Sequence, residues 1–187
     1  MTLNDFLYHL GWIFIGYESV IVLWFFITQL PKYRLSLFFT RRGVLNSLEL
    51  HEMHSCFMSA VVFLLFHAVG SEVEHYLLSF KLEVVTHIRV FYMGMVAQQF
   101  ATLVVLYTLH RLRGCLFSKT ARIIMYTTFL YAAFLFMQLI ARGYFDYHEL
   151  GIVYRVGGWT CNTVGIAALS IYPIRQTLGY FKQRRVA

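Results

Sequence analysis

The sequence predicts an all-α membrane protein, a polytopic bundle of about five transmembrane helices. Three observations point there. Hydrophobic residues make up 59% of the 187 and charged residues only 13%, where a soluble domain carries roughly 45–50% and about 25%. The apolar residues fall in five long runs, each near the roughly 20 residues that a bilayer core about 30 Å thick requires. Most of the basic residues lie between these runs, rich in one gap and sparse in the next.

The first run, 7–30, stops at Pro31, which cannot extend a helical hydrogen-bond ladder. It is preceded by Asp5 and holds His9, and lacks a basic leader and a small-residue cleavage site, so it is expected to stay as a helix. The second run, 47–70, opens on Asn46 and Glu49, spaced as a capping box. The third covers 84–109, the fourth 121–141 and the fifth 151–172, ahead of Pro173. Between the second and third, 71–83 mixes polar residues with Val73, Leu77 and Leu78 at helical spacing. That segment is expected to lie along the membrane surface or to prolong a flanking helix. The whole chain, 1–187, reads as one transmembrane domain.

Charge orients this bundle. The segment 31–46 holds Lys32, Arg34, Arg41 and Arg42; the loop 110–120 and its flank hold Arg111, Arg113, Lys119 and Arg122; the tail 173–187 holds Arg175, Lys182, Arg184 and Arg185. The alternate gaps hold only Lys81 and Arg142, beside Glu72, Glu74, Glu83, Asp146 and Glu149. Twelve bases against two place the N-terminus outside and the C-terminus in the cytoplasm. The net charge of +7 is then a matter of orientation and of anionic lipid at the cytoplasmic face, with no nucleic acid implied. Short loops and no targeting segment suggest a bacterial inner membrane, crossed several times. Trp12, Tyr76, Tyr144 and Tyr180 stand near the expected boundaries as an interfacial belt.

Polar residues at membrane depth carry the functional information, because they are costly in lipid. Glu18 falls near the middle of the first helix, His67 near the outer end of the second, and His87 and Arg89 near the outer start of the third. By depth these four share the outer half, where Glu18 and Arg89 would form an ion pair completed by His67 or His87. Such a cluster fastens helices, relays protons or ions, or holds a ligand, quinone or metal.

His51 and His54 lie three apart beside Glu49, Glu52 and Cys56, a donor set suited to a transition metal, although the spacing matches no HExxH motif. His54 and His67 are thirteen apart, about 20 Å along one helix, a workable span for two b-type haems. His87 would face His67, while the inner position has only His110. Five spans in this orientation resemble the layout of quinone-linked cytochrome b subunits, a likeness of arrangement and not of motif. The cysteines Cys56, Cys115 and Cys161 form no CxxC pair and read as small apolar packers.

In the fifth helix Gly158, Cys161, Gly165 and Ala168 make a small-residue stripe, with Asn162 alongside. Such a stripe admits another helix closely, from this chain or from a partner subunit. Gln98, Gln99 and Gln138 would add interhelical hydrogen bonds. No GxSxG, Walker A, HExxH or glycine-rich nucleotide turn appears, and Ser59 and Ser170 lack a matching histidine and acid. The leading expectation is a non-catalytic subunit that assembles with itself or other membrane proteins. The alternatives are a haem- or metal-bearing redox subunit, and a small channel, proton path or transporter using Glu18, His67 and Arg89.

Overall fold

All five apolar runs are helical, and every helix outruns the segment expected for it. The computed structural model describes residues 3–33, 37 and 47–186, with side chains described for 9–33, 37 and 47–184. The helices are α1 (Leu3–Tyr33), α2 (Leu48–Leu78), α3 (Val84–Arg113), α4 (Lys119–Tyr144) and α5 (Gly151–Val186). No strand occurs among the described residues. The chain is a helical membrane bundle.

Helices α1 to α4 are each long and apolar enough to cross a membrane. Helix α5 is the longest, at 36 residues, but it does not meet that standard of composition. Glycine, threonine and asparagine dilute its apolar content, and several of these residues face the protein rather than lipid.

The prolines do not end their helices. Helix α1 runs two residues past Pro31, and α5 passes through Pro173 to Val186, so the expected tail is a continuation of the helix. Proline removes one donor from the ladder, and the good helix formers after Pro173 (Arg175, Gln176, Leu178, Lys182) restore it. Residues 71–78 extend α2 instead of lying flat, which makes that helix about 46 Å long for its 31 residues.

The cap of α2 also differs from expectation. Ser47 is the N-cap, its hydroxyl accepting from the Leu50 amide at 3.2 Å. Asn46 lies outside the described residues, as do Arg34, Arg41 and Arg42 and the side chain of Arg185. The α3–α4 turn is closed at both ends. Gly114 takes a left-handed φ of 61° while the Cys115 amide reaches back to the His110 carbonyl at 3.0 Å. Ser118 then caps α4, accepting from Ala121 N–H at 3.1 Å.

Helix α2 is central and touches all four others, while α3 with α4, and α4 with α5, form the closest pairs. Helix α1 leans on α2 and α5. It runs parallel to α5, pinned by Tyr17 hydroxyl to Ser170 hydroxyl at 3.0 Å and by Trp24 Nε1 donating to Thr177 at 3.1 Å. One end of the bundle carries the α3–α4 turn and the end of α5 and is rich in bases. The other carries the α2–α3 and α4–α5 turns and most of the acids. These are called the basic and acidic ends below.

Candidate functional site: a polar cavity towards the acidic end

The two halves of the bundle are packed differently. In the basic half Phe25, Phe57, Leu106, Ile124, Leu169 and Tyr172 form one core drawn from all five helices. Phe25 is fully buried and stacks on Tyr172 with ring centres 5.6 Å apart. In the acidic half the core shrinks to Leu77, Tyr92, Met95, Leu135 and Leu139, from α2, α3 and α4 alone. Beside it, where α1 and α5 complete the ring, lies a cavity of about 380 Å³.

Every helix contributes to its wall. Aromatic rings line it from four of them: Trp12 on α1, Phe63 and Phe66 on α2, Tyr131 on α4 and Trp159 on α5. Polar side chains complete it, with Ser71, Glu74 and His75 on the last turns of α2 and Gln98, Thr102, Thr128 and Asn162 nearer the middle of the bundle. Polar groups at such depth need partners or a polar space to face. Gln98 meets the first condition with one half of its amide. Its Nε2 donates to the Phe66 carbonyl at 2.8 Å, whereas its buried Oε1 has no protein partner among the described residues.

The stripe on α5 sets two of these walls. A Cβ added at Gly158 would stand 2.9 Å from the Tyr131 ring, and one at Gly165 3.0 Å from Phe63. Both rings therefore seat against bare backbone. Cys161 and Ala168 are buried on the same side, and the Ala168 carbonyl accepts from Thr120 at 3.2 Å. The stripe faces inward, against side chains of this chain. Gly70 on α2 plays a matching part, since a Cβ there would collide with the Gln98 amide.

Of the four residues expected to converge, the structure joins two. His67 Nδ1 donates to Glu18 Oε1 at 2.8 Å, with the Glu18 side chain fully buried and that of His67 23% exposed. His67 lines the cavity and Glu18 stands behind it; Glu18 Oε2 is buried without a protein partner among the described residues. The expected Glu18–Arg89 pair is not formed. Arg89 turns to the end of α4, where Nε donates to the Gly143 carbonyl at 2.7 Å and the guanidinium lies 4.4 Å from the Tyr144 ring centre. A helix-terminal carbonyl and an aromatic face together satisfy the cation. His87 donates through Nε2 to the Leu77 carbonyl at 3.0 Å and closes the α2–α3 turn.

His51 and His54 stand at the basic end. His51 Nδ1 accepts from the Leu116 amide at 3.3 Å, holding the α3–α4 turn on α2. His54 is buried beside Tyr33, ring centres 6.3 Å apart. No group of three or more His, Cys, Asp or Glu side chains with metal-binding proximity occurs among the described residues.

Sequence reasoning missed a buried network at this end. His110 Nδ1 donates to the Leu106 carbonyl at 2.8 Å, which leaves Nε2 to accept from Ser55, 2.9 Å away. Ser55 Oγ also accepts from the Ser118 amide at 2.9 Å, and Phe117 stacks on the imidazole at 4.4 Å. Ser55 and His110 are wholly buried, so this pair ties the α3–α4 turn to α2 and reaches no solvent. Cys115 donates its thiol hydrogen to the His51 carbonyl at 3.2 Å, and burial pushes that thiol up to about 11. Arg175 reaches Glu52 at 2.6 Å on the surface, a pair of modest worth there.

Arg155 and Glu74 also escaped notice. Arg155 stands in the first turns of α5 on a separate groove that shares only Trp159 with the cavity lining, and Glu74 stands at the cavity mouth. The only cue to Glu74 was its place among the acids of a base-poor gap. Neither a protein-family model, nor a curated protein, nor a solved structure matches the chain.

Proposed function

We propose that this protein is a non-catalytic membrane bundle that binds a small solute in the cavity of its acidic half. The carrying observation is a cavity walled by all five helices and lined by polar side chains from α2, α3, α4 and α5, at a depth where lipid favours closed apolar packing. Its volume of about 380 Å³ falls in the range of small-molecule sites. Aromatic walls with a few placed polar groups are the usual lining of such sites.

The positive-inside rule turns the basic end to the cytoplasm and makes α5 a fifth span, with the chain in a bacterial inner membrane. The cavity then opens to the external side, and the apolar core of the basic half closes it from the cytoplasm. Glu18 and His67 form the ionisable element of a solute carrier or receptor, and Arg89 belongs to the frame.

Thiol access tests the reading. The three native cysteines are buried, so the wild-type protein supplies a quiet background. Asn162→Cys should react with a membrane-impermeant thiol reagent added from outside, whereas Ile171→Cys, exposed on the surface that faces lipid, should not. An Asn162→Cys protein no more reactive than wild type would refute the open cavity.

A further inference from the structure

Resting on that reading, we infer that the cavity selects a small organic cation bearing N–H donors, a protonated amine. Three independent features of the wall converge on this class.

Charge is the first. The chain has 16 lysines and arginines, yet none of those among the described residues lines the cavity. Its ionisable lining groups are Glu74, His67 and His75, and Glu18 adds a carboxyl behind His67. Of the bases at this end, Arg89 turns to the Gly143 carbonyl and Arg155 lines a separate groove, while Lys81 and Arg142 are not among the lining residues. In a protein of net charge +7, a cavity with carboxyl groups and no base is a local reversal of sign. Low-dielectric surroundings strengthen its attraction for a positive charge.

Hydrogen-bonding capacity is the second. A carbonyl only accepts, so the bond to Phe66 O fixes the Gln98 amide with Nε2 outward and leaves Oε1 as an acceptor. That atom is buried without a protein partner. The Glu74 carboxylate at the mouth likewise only accepts, so both groups call for donors. An ammonium group carries three donors and no acceptor.

Aromatic faces are the third. Trp12, Phe63, Tyr131 and Trp159 come from four different helices and surround one space. Ring faces attract cations, tryptophan most strongly, and the attraction grows where water is excluded. Anions would meet the same faces and carboxyl groups with repulsion.

The test uses the full-length protein in lipid nanodiscs at pH 7, with empty nanodiscs correcting for partition. Benzylamine, protonated at that pH, is titrated against the neutral benzyl alcohol of like shape, following tryptophan fluorescence. Benzylamine should saturate at a concentration at least about tenfold lower than benzyl alcohol, and Glu74→Gln should erase about that preference while leaving benzyl alcohol unchanged. Glu74 is exposed at the mouth, so the variant should fold as wild type does. Equal affinities, or a preference untouched by Glu74→Gln, would overturn the cation inference. Binding of neither probe would also overturn it, and the Asn162→Cys reaction then tells whether the open cavity falls with it.

Discussion

The basic and acidic halves of one bundle solve the same packing problem in opposite ways. Both are built from the same five helices, and both lie against lipid, which offers no hydrophobic drive to press helices together. In the basic half large side chains fill the space: Phe25 sits between Phe57 and Tyr172, and Leu37, Leu106 and Leu169 close the gaps. In the acidic half Gly11 and Gly16 on α1 meet nothing within 4 Å of where a Cβ would stand. Helix α1 is not part of that core, and polar side chains occupy the inward positions. The difference teaches that close packing and open polar space are spatially divided here. One half holds the helices in register, and the other is left open at the cost of good packing.

Substitutions in each half measure that division. The largest loss is expected for Phe25→Ala, whose wholly buried ring would leave a void costing about 2–3 kcal/mol in the cavity term alone. Phe63→Ala removes the same ring from the cavity wall, already open on one side, and should cost about 1 kcal/mol. Unfolding in mixed micelles, followed by helical circular dichroism, reads both; equal losses would mean that the halves are packed alike.

Within the acidic half Glu18→Leu has the larger expected effect. It leaves the His67 Nδ1–H without its acceptor and should lower stability by about 1–2 kcal/mol in the same assay, with Glu18→Gln losing less because its amide oxygen still accepts. Thr102→Val is near-isosteric, and its hydroxyl serves only the Gln98 carbonyl one turn back. Its cost should stay below about 0.5 kcal/mol, and a large loss would show Thr102 to be a structural support. The smallest effect concerns Cys115. With its thiol held near 11, alkylation should be slow at neutral pH and climb steadily with pH towards that value. A rate that levels off by pH 9 would mean an ordinary, exposed thiol.

The bundle itself was legible in composition and in the lengths of its apolar runs. Helix ends were less so, because Pro31 and Pro173 signal a break that the surrounding helix overrides. At the site, depth was readable and direction was not. Glu18, His67 and Arg89 were expected to share the outer half of the membrane, since height along a helix follows from counting at 1.5 Å per residue. Rotation about the axis decides partners, and there Arg89 went to Gly143 while His67 took Glu18.

The same limit explains the α5 stripe. Its small residues announced a close approach, but only the positions of Tyr131 and Phe63 show that side chains of this chain fill it. Gln98 was expected to bond between helices and does, to a backbone carbonyl of α2. The Ser55–His110 contact joins residues 55 apart through a turn whose course no local pattern predicts.

The division of the bundle into a sealed and an open half is tested most directly by comparing two buried-face positions in one reaction. Ser59 is wholly buried beside the basic-half core, and Asn162 lines the cavity. With an impermeant cationic thiol reagent supplied from both sides of the membrane, Asn162→Cys should react at least about a hundredfold faster than Ser59→Cys, because only hydrated thiols ionise readily. Comparable rates at the two positions, whether both fast or both negligible, would contradict it.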